Sequence, residues 1–177
     1  MNNTERTERG RDTAALKRVA TGSVTGFAAM GFLSGLSPKA PGTAGSALAW
    51  LLMWPLASLP EWALVAWVVV SAIAGIHVCQ SATKALGVHD HSGIVWDEFV
   101  GMWLVLLVVP QTLTVWLLGF VMFRVFDIVK PWPIGWLDRQ LPGGLGIMAD
   151  DILAAVYAIL TVRALLFFWP GLAGWGV

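Results

Sequence analysis

WALVAWVVVSAIAGIHVCQ, Trp62–Gln80, is the stretch that decides the fold class. It contains no Asp, Glu, Lys or Arg, and it matches the about 20 apolar residues that a helix needs to cross a bilayer core. We therefore expect a spanning helix here, in a chain built around a membrane. On its N-terminal side, Pro60-Glu61 makes a tight turn. An apolar segment precedes that turn, capped by Thr43 or Ser46 and running to about Leu59. The break Ser37-Pro38-Lys39-Ala40-Pro41-Gly42 separates it from Val19 to Leu36, which is mildly apolar. Gly22 with Gly26, and Gly31 with Gly35, have the spacing that lets helices approach closely. On the C-terminal side, Ser81 to Val95 is polar, and Trp96 to Val109 and Thr112 to Phe126 are apolar, separated by Pro110-Gln111. At roughly 14 residues each, these two span only if they extend into their polar flanks. Asp127 to Ala149 reads as a polar loop with proline and paired-glycine breakers, and Asp150 to Trp169 as the last apolar segment.

Composition agrees. Of 177 residues, 57% are hydrophobic and only 12% charged, with eleven tryptophans. Mean hydropathy is +0.72. Soluble domains carry about 25% charged residues, and tryptophan favours membrane interfaces. The expected fold is all-α, an integral membrane helical bundle of about five to six apolar helices with its polar links gathered on one side. Residues 19–170 form its single membrane-embedded domain, between a charged, flexible tail at 1–18 and a short tail at 171–177. Net charge is zero, and no basic patch suits a nucleic-acid partner. Cys79 is the lone cysteine, which excludes an internal disulfide and a cysteine metal site. The first twenty residues lack the apolar core of a cleavable signal.

Lysine and arginine set the orientation. If Val19 to Leu36 does not cross, the N-terminus and the links at 37–42, 81–95 and 127–149 share one side. That side holds Arg6, Arg9, Arg11, Lys17, Arg18, Lys39, Lys84, Lys130 and Arg139, with Arg124 at its edge; the turns at 60–61 and 110–111 hold none. The positive-inside rule makes it cytoplasmic. Val19 to Leu36 is then re-entrant, interfacial or buried among the other helices. Arg163 lies within the last apolar segment, to snorkel or to pair with an acid.

Seven of the eleven acids also fall at the ends of apolar runs or in these links: Asp90, Asp97, Glu98, Asp127, Asp138, Asp150 and Asp151. Ionisable residues near membrane segments are costly, and they point to function. Asp97-Glu98 opens one apolar segment and Asp150-Asp151 another. One such pair is explained as a cap favoured by the helix dipole; two on one side exceed what capping requires. Four close carboxylates need a cation between them, and hard oxygen donors select Mg²⁺ or Mn²⁺. Arg124, Asp127 and Lys130 follow at spacings of three, on one helical face. They are either an ion-pair ladder or a metal ligand flanked by two phosphate-binding cations. Lys39 and Thr43 belong to the glycine turn before a helix, which is either an anion site or a plain helix-breaking loop. His89, Asp90 and His91 are too few ligands for zinc; proton transfer by His89 or Asp90, or a solvated loop, remain. His77 reads as a core or helix-contact histidine.

These residues, taken in order, resemble the phosphatidylglycerophosphatase A family from about Gly22 to Phe168. The resemblance rests on Gly35-Leu36-Ser37-Pro38, Pro41-Gly42-Thr43 and Gly45-Ser46, then Val88-His89-Asp90-His91, Ile94-Val95-Trp96-Asp97-Glu98-Phe99 and Gly101-Met102-Trp103. It continues through Phe123-Arg124, Asp127, Lys130-Pro131-Trp132-Pro133-Ile134, Gly143-Gly144, Gly146-Ile147-Met148 and Asp150-Asp151. The tryptophan-rich form is similar to the proteobacterial inner-membrane enzymes. Ala155 departs from the glycine expected there, which bears on packing and leaves the chemistry intact. The resemblance implies an all-helical, multi-pass, Mg²⁺-dependent lipid phosphatase with its active site facing the cytoplasm. Its substrate would be phosphatidylglycerophosphate in the bilayer, and its products phosphatidylglycerol and inorganic phosphate. On this reading Asp97, Glu98, Asp127, Asp150 and Asp151 bind Mg²⁺. Lys39, Thr43, Arg124 and Lys130 hold phosphate, Asp97 and Asp127 take part in catalysis, and His89 or Asp90 moves a proton. Attack by metal-activated water is favoured over an aspartyl-phosphate, since the Asp-x-Asp signature of haloacid-dehalogenase phosphatases is missing. The rival reading is a transporter or cation channel. Against it, transporters bind cargo near the midplane, whereas these acids cluster at one face.

Overall fold

The computed structural model describes residues 3–88, 91–141 and 143–174. Among them it is helical with no strand: α1 Asn3–Gly22, α2 Val24–Ala29, α3 Pro41–Leu56, α4 Glu61–Leu86, α5 Trp96–Val108, α6 Leu113–Val129, α7 Ile134–Gln140 and α8 Gly143–Phe168, with 3-10 turns at Ser34–Leu36 and Pro170–Gly174.

Local chemistry sets the ends. Pro41 opens α3, where its missing N–H costs nothing. Gly87 ends α4 in the left-handed conformation, its N–H donating to the Thr83 carbonyl. The Thr112 hydroxyl caps α6 by accepting from the Val115 N–H. Lys130 ends α6 at φ 43°, before Pro131. The Trp132–Pro133 peptide is cis.

Two helices, α4 and α8, are long and apolar enough to cross a membrane. Each has 26 residues, about 39 Å of helix against a hydrocarbon core of about 30 Å. α3, α5 and α6 are apolar as well, with 16, 13 and 17 residues, so among the described residues two helices have the length of clear spans. α8 is the hub, packing on α4, α5, α6 and α7, while α5 also packs on α3. The main core joins Phe99, Trp103, Trp116 and Phe123 to the small residues Ala154, Ala155 and Ala158 of α8. Ala155 is fully buried in this core, where its methyl replaces the hydrogen of the expected glycine.

Several segments differ from the sequence reading. Val19 to Leu36 is not one element. α1 stops at Gly22, and Ser23 restarts the chain by accepting from the Gly26 N–H at 3.0 Å. Gly31, Phe32 and Leu33 then turn it with φ of 49°, 54° and 79°. At six residues, α2 is about 9 Å long and cannot cross. The stretch 127–149 is mostly helix, because α6 runs through Asp127, α7 follows, and α8 begins at Gly143. Gly144 lets α8 start against α4: a Cβ there would collide with the Ile76 carbonyl and sit 2.7 Å from the Gln80 nitrogen. His77 is exposed rather than core. Among the described residues Arg163 meets no acid: its Nη2 donates to the Val108 carbonyl at 2.7 Å, supplying a cation to the C-terminal end of α5.

Candidate active site

Helix direction alternates from α3 to α6, so the start of α3, the end of α4, the start of α5 and the end of α6 come to one end of the bundle. α8 also starts there. Its N-terminal Gly144 N–H donates to Gln80 Oε1 of α4 at 3.0 Å. Asp97 and Glu98 lie in the first turn of α5. Asp150 and Asp151 do not start their helix, as the sequence reading had it: they follow Gly143 by seven and eight positions, about 10–12 Å further along.

Asp97, Glu98 and Asp151 form the centre. Each offers a carboxylate oxygen, and the three oxygens lie within 4.8 Å of one another. Asp97 is 8% and Asp151 2% exposed. Glu98 Oε2 and Asp151 Oδ2 are buried with no hydrogen-bond partner among the described residues. Buried carboxylate oxygens left in this state are expensive. A divalent cation resolves that cost, and an all-oxygen donor set fits Mg²⁺ or Mn²⁺ better than a soft metal.

The other two acids are matched with basic side chains. Asp127 forms an ion pair with Arg124 one turn earlier on α6. Asp150, 4% exposed, is paired with Lys130 Nζ. The left-handed backbone at Lys130 turns the chain sharply at the end of α6, and its side chain reaches across to α8. Such a conformation in a residue with a Cβ costs about 1–2 kcal/mol, and this strain sits at the site. Arg124 links three helices. Its Nη1 donates to Ser46 Oγ of α3 at 3.2 Å, and it stands 3.9 Å from Glu98 Oε1 of α5. Ser46 in turn donates to the Gly42 carbonyl at 2.9 Å.

A side chain at Gly42 would displace the site residues. A Cβ there would collide with Glu98 Oε1 and sit 3.1 Å from Arg124 Nη2. The close approach of α3 thus brings backbone, rather than a side chain, against the acid–arginine pair.

The structure therefore gathers Asp97, Glu98, Asp127, Asp150, Asp151, Arg124 and Lys130 at one place and sorts them into a carboxylate triad and two acid–cation pairs. Thr43 is half-buried in the first turn of α3 beside Gly42. Lys39 stays apart: it is exposed, and its backbone carbonyl accepts from the Ser37 hydroxyl at 2.9 Å. His89 and Asp90 lie outside the described residues. His91 serves the turn before α5, its Nδ1 accepting from the Gly93 N–H at 3.0 Å. Gln80 was not legible as a site residue from sequence, and Ser46 only as the end of the Gly42–Ser46 turn. Both are neutral side chains on apolar helices, and only their tertiary neighbours give them a role.

Comparison with known proteins finds a matching family model and several similar proteins. The family model described as Phosphatidylglycerophosphatase A matches residues 27–166. The chain is 47% identical over 144 residues to phosphatidylglycerophosphatase A of Escherichia coli K12, covering 80% of this chain and 83% of that one. It is 42% identical over 155 residues to phosphatidylglycerophosphatase A of Haemophilus influenzae, covering 86% and 95%. A Bacteroides thetaiotaomicron protein provisionally named a phosphatidylinositol-3-phosphatase is 40% identical over 140 residues, covering 75% and 87%. No solved structure matches.

Proposed function

The chain belongs to the phosphatidylglycerophosphatase A family, and from that premise we propose that it hydrolyses phosphatidylglycerophosphate to phosphatidylglycerol and inorganic phosphate with the help of Mg²⁺. The observation that carries the reading is the buried Asp97–Glu98–Asp151 triad. These three residues would hold the cation. Bound there, it would neutralise phosphate charge and act as a Lewis acid on the ester.

The protein's own groups supply the rest. Arg124 and Lys130 each have an acid to exchange for phosphate, so the incoming dianion competes with Asp127 and Asp150 for them. The guanidinium fork suits a phosphate edge, and Ser46 holds that fork on α3. Thr43 and the backbone at the start of α3 face the same end and favour an anion. Asp127, released from Arg124, can orient a water or accept its proton. His89 and Asp90 remain the proposed proton-transfer pair, on sequence grounds alone, and Lys39 an outer phosphate contact.

We place α3, α5 and α6 in the membrane with α4 and α8, in a multi-pass arrangement in the bacterial inner membrane with the site facing the cytoplasm. Two observations support this. Large apolar side chains face outward along the helices, including Val69, Val70 and Ile73 of α4, Leu117 and Val121 of α6, and Leu160 of α8. Exposed tryptophans lie at both ends: Trp132 and Trp136 beside the site, Trp62 and Trp169 at the opposite end.

The test is phosphate release from phosphatidylglycerophosphate by the purified full-length protein in mixed micelles. We expect release that stops with EDTA and returns with Mg²⁺. Binding of Mg²⁺ with no phosphate released from any phosphorylated lipid would sink the proposal and favour an ion-binding transporter.

A further inference from the structure

Trp96 opens α5, one residue before Asp97. Its ring lies against α4, and its Nε1 donates to the Ser71 carbonyl at 3.1 Å. Gly75, one turn after Ser71, makes the room: a Cβ there would sit 2.8 Å from Trp96 Cδ1 and 3.1 Å from its Nε1. The indole rests on bare α4 backbone, in a notch left by the missing side chain. The same notch receives α8. A Cβ on Gly75 would lie 2.3 Å from Met148 Cε, and Met148 stands three positions before Asp151. At one glycine α4 therefore meets both helices that carry the carboxylate triad.

Neighbours on a helix point about 100° apart, so Trp96 can act on the acids only through the backbone of the first turn. That turn needs support. Val95 stands at its N-cap and offers no side-chain acceptor to the first N–H groups, and helix ends fray. Tertiary neighbours hold it. The Val95 N–H donates to the Ala29 carbonyl at 2.9 Å. Trp96 stacks on Phe99 with the ring planes 4° apart, and Phe32 lies edge-on to both rings, at 5.9 and 5.8 Å. Phe32 does so from a left-handed backbone, φ 54°, a conformation that persists only where its surroundings impose it.

We infer that Trp96, seated at Gly75, is a positioning residue for the triad. It fixes the first turn of α5 against α4, and so sets where Asp97 and Glu98 stand relative to Asp151. This rests on the proposed role of the triad as the cation site and adds what holds its geometry, which such a site needs to within about 0.5 Å.

Trp103 supplies the matched control. It lies seven positions further along α5, about 10 Å away, and its Nε1 likewise donates to a carbonyl, that of Ala49 in α3, at 3.0 Å. The experiment measures binding of Mn²⁺, which suits the same oxygen donors as Mg²⁺, by electron paramagnetic resonance on the purified full-length protein in detergent. Thermal unfolding of the same proteins in EDTA is read beside it. Trp96→Phe keeps a ring and loses the donor. We expect it to weaken Mn²⁺ binding about tenfold, the lower end of what outer supports of metal ligands contribute. Trp103→Phe should lose as much thermal stability and bind Mn²⁺ as the unaltered protein does. Gly75→Ala keeps Trp96 but displaces its ring, and should also weaken binding, which gives a second route if Trp96→Phe does not fold. Unchanged Mn²⁺ affinity in either folded variant, or an equal loss in Trp103→Phe, would make Trp96 an ordinary packing residue and overturn the inference. Phosphate release separates this from the activity. The expected affinity shifts in a protein that releases no phosphate from any phosphorylated lipid would remove the phosphatase proposal and keep the positioning role. Turnover by the unaltered protein, with Mn²⁺ affinity unmoved in either variant, would do the reverse.

Discussion

The two doubled acids reach the same site from different kinds of helix position. Asp97-Glu98 occupies the first turn of α5, where free N–H groups and the helix dipole favour negative charge. Asp150-Asp151 lies two turns inside α8, where every backbone N–H is already used within the helix. The first pair receives help from the backbone itself. The second depends on other side chains or a cation: Asp150 on Lys130, Asp151 on whatever the triad holds. Among the described residues, Asp151 is a buried acid with neither a helix terminus nor an ion pair beside it.

Removing that charge should break the comparison most visibly. Asp151→Asn should lower turnover on phosphatidylglycerophosphate by about a thousandfold, since Lewis-acid assistance is worth several kcal/mol. In EDTA the same variant should unfold at a higher temperature than the unaltered protein, because a buried, repelling charge has gone. Glu98→Gln should also impair turnover but gain less stability in EDTA, since Glu98 enjoys the helix terminus and Arg124 at 3.9 Å. Equal gains from the two substitutions, measured by thermal unfolding in detergent, would show that helix position does not matter here.

Lys130 tests the other member of the α8 pair. Lys130→Met removes the cation paired with buried Asp150, which should cost about 3 kcal/mol of stability. Adding Asp150→Leu should restore most of it without restoring phosphate release. Denaturation of the single and double variants separates the structural share of this ion pair from its proposed share in phosphate binding.

This distinction between the two pairs was not legible in the sequence, although the residues were. The apolar run at Trp62–Gln80 lies within a long helix, and Asp97, Glu98, Arg124, Asp127, Lys130, Asp150 and Asp151 do converge, while Lys39 stays apart. What failed was the start of α8. Gly143-Gly144-Leu145-Gly146 reads as a breaker because glycine weakens an isolated helix by about 1 kcal/mol. In the folded chain α4 comes so close that only glycine fits, as Gly144 shows against Ile76 and Gln80. Tertiary packing overrode propensity, and Asp150 and Asp151 moved from a helix start to a helix interior. Pairing was hidden for a related reason. Arg124 with Asp127 is visible at a spacing of three, but the pair of Lys130 with Asp150, 20 positions away, is not. The left-handed turn after Val129 makes that pair, and nothing before Pro131 announces it.

The favoured position of Glu98 also depends on α3, which permits a finer test. Gly42→Ala places a methyl where Glu98 Oε1 now lies and within 3.1 Å of Arg124 Nη2, so the acid must shift away from the triad. Displacements near 1 Å at an active site cost about 100-fold in rate, and we expect a loss of that order with α3 still folded, since alanine favours helix more than glycine does. Ser46→Ala should do less. It removes one hydrogen bond to Arg124 and leaves the guanidinium its ion pair with Asp127. At about 1 kcal/mol for such a bond, the loss in kcat/KM should be about fivefold. If Arg124 is a phosphate ligand, the loss should fall mainly on KM. A loss confined to kcat would instead make Ser46 a support for the triad through Glu98, and would shift the role of Arg124 from binding phosphate to holding the acids in place.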